Sequence, residues 1–242
     1  MPTSFDLLYV ALFAVGFPLY DALFGWPAYA RRAQADPALA RTWLWSTSMV
    51  QAWCFVGLGV GYWLYAGRPW SALKLTLPEG WRLAVALALI AAYSAYQLYS
   101  IAQLRRDPAL RESVRPQVAA VADVVPHTRS EVSKFTAVSF TAGVCEEFLY
   151  RGYFLWALAP WLGWWGAAAL STVCFALGHA YQGWMGVLRT GIVGALYALT
   201  VWLLDSLWPA IVLHVLVDVF GGFMAWLVLR DDPPAPALHN GR

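Results

Sequence analysis

The chain has 242 residues, 60% of them hydrophobic and only 12% charged, with a formal net charge of +2. A soluble domain carries about 25% charged residues, and the apolar residues here fall in long runs rather than amphipathic stripes. A soluble domain is therefore excluded, and so is a nucleic-acid surface, which needs a basic stripe that this sequence lacks. The expectation is an all-α, polytopic membrane protein. Lysine occurs only as Lys74 and Lys134 among sixteen basic residues, a bias that reads as GC-rich bacterial coding.

A bilayer-spanning helix needs roughly 20 mainly apolar residues. On that rule about seven transmembrane helices are expected, over Phe5 to Phe24, Trp43 to Ala66, Trp81 to Leu104, Phe135 to Leu158, Trp161 to Tyr181, Trp184 to Leu204 and Leu207 to Leu229. The first run has no Lys or Arg before it and exceeds a signal-peptide core of about 7–15 residues. It reads as a retained helix despite the small-x-small sequence Ala28-Tyr29-Ala30. The last four runs are separated by short turns, Ala159-Pro160 and Asp205-Ser206 among them, and should form a compact four-helix core. This divides the chain into N-terminal helices with basic loops (1–130), a core (131–230) and a disordered Pro-containing tail (231–242). The first three helices are expected to be a loosely tethered flank.

With this helix count, twelve basic residues fall on one side and only Arg68, Lys74 and Arg82 on the other. The excess of Lys and Arg marks the cytoplasmic side, so the N-terminus is expected outside, the C-terminus inside, and the protein in the cell (inner) membrane. Asp36-Pro37 and Asp107-Pro108 each follow an Arg pair and have the Asp cap followed by Pro that starts a helix. Short interfacial helices are expected at both. Gly57 and Gly61 share a spacing that permits close helix approach. Cys54, Cys145 and Cys174 are dispersed in apolar runs and form neither a disulfide framework nor a zinc knuckle.

Ionisable side chains inside hydrocarbon cost roughly 2.5–3.5 kcal/mol each and mark function by default. The core runs contain Glu146, Glu147, Arg151, His179, His214 and Asp218. At about 100° per residue, Arg151 lies near Glu147 on the helix but far around it from Glu146. Glu147 and Arg151 should neutralise each other, while Glu146 must find a partner on a neighbouring helix, where a histidine is the natural candidate. Glu146 is thus expected to do chemistry and Glu147 to hold structure. His214 and Asp218 are spaced i,i+4, so the carboxylate should fix the imidazole tautomer. Phe175 lies one turn before His179 as a packing wall.

These residues carry a resemblance. Glu146-Glu147-Phe148-Leu149-Tyr150-Arg151 matches an EExxxR motif, Phe175 to His179 an FxxxH motif, and His214 to Asp218 an HxxxN/D motif. Together they are similar to the CPBP (Abi) family of CAAX-processing and bacteriocin-processing intramembrane proteases, over about Phe135 to Leu229. The resemblance implies an intramembrane glutamic endopeptidase without metal or cofactor. Glu146 and His179 would activate a water, and His214 and Asp218 would form the oxyanion site. Glu147 and Arg151 would support the site. The family's eukaryotic members have Asn where this chain has Asp218, and an ionised Asp cannot donate. The substrate would be a membrane-associated peptide or a lipid-anchored protein. Competing readings are a zinc metallopeptidase using the same residues, a proton-coupled transporter, a non-catalytic immunity scaffold, and a Cys145 nucleophile.

Overall fold

The computed structural model describes residues 1–230; the tail expected to be disordered lies outside them. Every element among the described residues is helical. α1 spans Ser4–Ala35, with π-helical turns at Leu12–Gly16 and Asp21–Gly25. α2 is Pro37–Tyr65, α3 Gly80–Arg106, α4 Pro108–Ala119 and α5 Arg129–Glu146. A π-helical segment, Glu147–Phe154, continues α5 into α6, Leu155–Gly178. α7, Gly183–Leu204, and α8, Trp208–Leu229, complete the chain.

Five helical stretches among the described residues are long and apolar enough to cross a membrane, rather than seven. Two features account for the difference. α2 has the length but is not among the five. The fourth and fifth expected runs are one 50-residue helical stretch, Arg129–Gly178. That stretch doubles back on itself at Gly163 (φ 66°, ψ 167°), a conformation essentially restricted to glycine. Ser171 Oγ therefore donates to the Tyr150 carbonyl at 2.8 Å. The turn falls at Gly163 and not at Ala159-Pro160, because the helix accommodates Pro160 and continues.

Both Asp-Pro pairs start helices. Asp36 Oδ1 accepts from the backbone N–H of Ala38 and Leu39 at 2.9 and 3.0 Å, and Asp107 Oδ1 from Ala109 and Leu110 at 2.8 and 3.1 Å. Each cap satisfies amide groups that a helix start leaves free. Only the second begins a short helix, α4; the first begins the 29-residue α2. Nothing lies within 4 Å of a Cβ built on Gly57 or Gly61, so no helix closes on that pair.

The N-terminal helix is not a loose flank. Tyr9, Val10, Phe13 and Ala14 are buried in one cluster with Trp63, Phe148, Tyr153, Phe154 and Phe175. Asp6, fully buried, takes two hydrogen bonds from Arg68 at 2.7 and 2.8 Å and a short one from the Tyr153 hydroxyl. Those bonds hold the Arg68 guanidinium above its ordinary pKa, well inside its charged range. At the opposite end of the bundle, Arg41 donates to Glu131 Oε1 at 2.9 Å, and Glu131 Oε2 closes a capping box on Thr128. α1 and α2 are thus clamped to the core at both ends by buried charge. Lys74 and Arg82 meet Asp205, at 2.6 and 3.7 Å, in the turn between α7 and α8.

α5 and α8 cross at two glycines. A Cβ on Gly143 would lie 2.9 Å from the Val215 backbone nitrogen, and one on Gly222 would lie 2.3 Å from the Phe135 ring. With no side chain there the backbones meet, which brings the end of α5 against the middle of α8.

Candidate active site

The meeting of α5 and α8 puts two consecutive glutamates against one imidazole. Glu147 Oε1 accepts from His214 Nδ1 at 2.8 Å, and Glu146 Oε2 lies 3.8 Å from His214 Nε2. The pair sits where the helix changes from α to π winding, a local widening that frequently marks functional sites. Glu147 is fully buried, whereas the Glu146 side chain keeps 28% of its surface. One carboxylate is enclosed by protein and its neighbour is open to whatever enters.

Glu147 Oε1 also accepts from Arg151 Nη1, at 2.9 Å. The guanidinium is buried and lies 4.0 Å from the centre of the Phe175 ring, with the Tyr197 ring 5.6 Å away. Its Nε and Nη2 have no hydrogen-bond partner among the described residues, so the aromatic faces carry part of the charge stabilisation. Phe175 is the hub of the site. Its ring contacts His179 (4.8 Å between centroids), Tyr150 (5.3 Å) and the edge of His214 (6.1 Å).

Asp218 does not fix the tautomer of His214, contrary to the i,i+4 expectation. Its Oδ2 is 3.7 Å from Nε2, in ion-pair range but too far for a hydrogen bond. The physical reason is reach: the longer glutamate arrives from the opposing helix in line with Nδ1, while the short aspartate stays beside the ring on its own helix. With Nδ1–H given to Glu147, Nε2 is the nitrogen that faces Glu146 and Asp218.

His179 caps the end of α6. Its Nδ1 donates to the Phe175 carbonyl at 2.8 Å, which leaves Nε2 with a lone pair. Among the described residues no hydrogen bond or ion pair joins His179 to Glu146. Cys145 is fully buried in the apolar cluster. A cavity of about 470 Å³ bounded by Lys74, Arg151, Trp156 and Trp164 touches none of Glu146, His179, His214 or Asp218.

Two residues of this cluster gave no sequence signal. Tyr197 stacks on His214, 5.0 Å between centroids and 22° between planes. Gly194, one turn earlier on the same face of α7, leaves room for Arg151: a Cβ there would be 2.6 Å from Nη2 and 3.0 Å from the Phe175 ring. A tyrosine and a glycine in an apolar helix look like ordinary packing.

Residues 128–220 match the family model described as type II CAAX prenyl endopeptidase Rce1-like. No curated protein and no solved structure matches the chain. The matched segment contains all seven side chains singled out from the sequence, on the helices that the geometry brings together. Over residues 128–220 the chain is thus similar to type II CAAX prenyl endopeptidases of the Rce1-like kind, and its long apolar helices make it a multi-pass membrane protein.

Proposed function

We propose that this protein is an intramembrane endopeptidase in which Glu146 and His179 activate water and His214, with Asp218 beside it, stabilises the oxyanion. The observation that carries this reading is the division of labour around His214. One glutamate is sealed and committed to the ring and to Arg151; the side chain of the other keeps 28% of its surface, and its buried Oε2, 3.8 Å from His214 Nε2, makes no hydrogen bond. A purely structural network would have no use for an open carboxylate in hydrocarbon.

The chemistry needs a base, an aimed donor and a dry surround. Glu146 takes one proton from water, whose oxygen bonds to the scissile carbonyl carbon, and the carbonyl π pair moves onto oxygen. His214 Nε2, when protonated, donates to that oxyanion, because Nδ1 is already held by Glu147. The intermediate then collapses: C=O re-forms, the C–N bond breaks, and the leaving amine takes the proton from Glu146. The products are a carboxylic acid and an amine, which share the remaining proton. His179 Nε2, left basic by the Nδ1 bond to Phe175, orients the water. Phe175 and Arg151 keep both histidines in register.

The substrate in this reading is a membrane-associated peptide or the end of a lipid-anchored protein. The protein acts in the cell membrane with its C-terminus in the cytoplasm. The test is cleavage of a membrane-inserted reporter peptide by purified protein in liposomes. Glu146→Gln should abolish turnover while the protein inserts and melts as the wild type does. Full activity in Glu146→Gln would refute the assignment, and uptake of protons without peptide cleavage would favour a transporter.

A further inference from the structure

Between Gly183 and Leu204, α7 carries one charged side chain, Arg189. It lies six residues into the helix, roughly 9 Å along the axis, inside the membrane-crossing stretch Ala180–Leu204. The guanidiniums of Arg41, Arg68 and Arg151 are each paired with a carboxylate. Arg189 has neither a hydrogen bond nor an ion pair among the described residues, and its side chain is exposed. A cation at that depth calls for a counter-charge, and this one is offered outward, where a ligand can supply it.

Arg189 lines a cavity of about 290 Å³ between the end of α4 and the first turns of α7. Gln182, Met185, Gly186 and Arg189 form one wall of it; their i, i+3, i+4, i+7 spacing puts them on a single helix face. Gln117 and Ala120 stand on the α4 side. Gln182 gives one amide N–H to the Tyr181 hydroxyl and keeps the other, and Gln117 has an amide of its own. Among the described residues no carboxylate borders this space, so its chemistry is that of a receptor for an anion with several acceptor oxygens. A guanidinium matches phosphate oxygens two at a time.

The same face of α7 continues as Ile192 and Leu196, both more than half exposed. An apolar lane thus leads away from the cation along the membrane-crossing helix, and it fits the tails of an amphiphile whose head is held at Arg189. The cavity has room for a headgroup and none for acyl chains, which the lane accommodates instead. Basic pockets between helices at the cytoplasmic face are a recurrent mode of anionic lipid recognition. Gln182 also donates its backbone N–H to the His179 carbonyl at 3.0 Å, which puts the cavity beside the turn that carries this histidine.

We propose that the cavity between α4 and α7 binds the phosphate headgroup of an anionic phospholipid, with Arg189 as its ion-pairing residue and the acyl chains along Ile192 and Leu196. The assignment does not depend on the peptidase reading, because binding is measured without turnover.

The full-length protein is purified in neutral detergent and titrated with phosphatidylglycerol, phosphatidylcholine or inorganic phosphate. Native mass spectrometry counts the bound lipid, and melting follows its effect. One phosphatidylglycerol should bind and raise the melting temperature. Zwitterionic phosphatidylcholine should bind about fivefold more weakly or worse, and inorganic phosphate at the same concentration should not protect. Arg189→Leu should weaken phosphatidylglycerol by about fivefold or more, while Arg189→Lys retains most of the affinity. Arg106→Leu removes an exposed cation that does not line the cavity and should bind like the wild type. Ala120→Phe fills the cavity and leaves the charge in place, so it should also lose the lipid; it decides the matter if Arg189→Leu does not fold. Equal binding of the two lipids, or undiminished binding by Arg189→Leu or by Ala120→Phe, would overturn the proposal. So would protection by inorganic phosphate alone, which marks a free-anion site. Binding of a peptide through its terminal carboxylate, with no phosphatidylglycerol bound, would overturn it in favour of a peptide pocket.

Discussion

Glu147 and His214, sixty-seven positions apart, share a 2.8 Å hydrogen bond between Oε1 and Nδ1 in which the glutamate is fully enclosed. The same oxygen receives Arg151, so one carboxylate orients the imidazole and neutralises the guanidinium together. Removing its charge should cost both. Glu147→Gln leaves Arg151 buried without a counter-ion, a loss of about 3–5 kcal/mol. Membrane abundance and melting in detergent should fall together, and an unchanged melting temperature would show that the guanidinium is held by its aromatic faces alone.

Gly194 should tolerate no side chain. A Cβ at 2.6 Å from Arg151 Nη2 and 3.0 Å from Phe175 has neighbours that are themselves pinned. Gly194→Ala is expected to destabilise by about 1–3 kcal/mol, the range for overpacking, and to reduce cleavage. Gly191→Ala, whose Cβ would meet Ala176 at an ordinary 3.5 Å, should melt like the wild type. Equal behaviour of the two variants would contradict the packing described for α7.

The Asp6–Arg68 pair predicts a non-additive double mutant. Either Asp6→Asn or Arg68→Met leaves a charge without its partner in a largely buried setting. Each single variant should lower stability by about 3–5 kcal/mol, and the double variant should recover most of it, since exchange of both buried ions is often near neutral. A thermal double-mutant cycle that adds without interaction would rule out the clamp.

The side of the membrane can be read with reporters. From the excess of basic residues on one set of loops, residues 66–79 are expected outside and Arg230 in the cytoplasm, and the pairing of Lys74 and Arg82 with Asp205 keeps residues 66–79 and the α7–α8 turn on the same side. A reporter after Arg230 should be cytoplasmic and one within 68–79 external. The reverse pattern would invert the topology.

Metal dependence separates the two hydrolytic chemistries. Two of the four histidine ring nitrogens in the site are already committed, His214 Nδ1 to Glu147 and His179 Nδ1 to the Phe175 carbonyl. Exhaustive dialysis against chelator should leave cleavage intact. Loss of activity on chelation, with recovery on adding zinc, would assign the water to a metal.

The local sequence determined the features that need only a few residues of context. Long apolar runs with few charges dictate helices in a bilayer. Asp followed by Pro dictates a helix start, because the carboxylate caps the first amides. The i,i+4 spacing of Glu147 and Arg151 brings them together within one helical segment. Contacts between distant residues were decided by tertiary structure. The i,i+4 spacing of His214 and Asp218 was equally legible, yet Glu147, arriving from the opposing helix, took the ring nitrogen. Asp6 was hidden at the edge of an apolar run, and its partners Arg68 and Tyr153 lie far along the chain. Gly163 looked like any glycine until the chain had to reverse there. Periodicity encodes which face a side chain presents, but not the distance or angle at which another helix meets it. Glycine contacts and buried charge set those quantities, and both depend on the whole bundle being assembled.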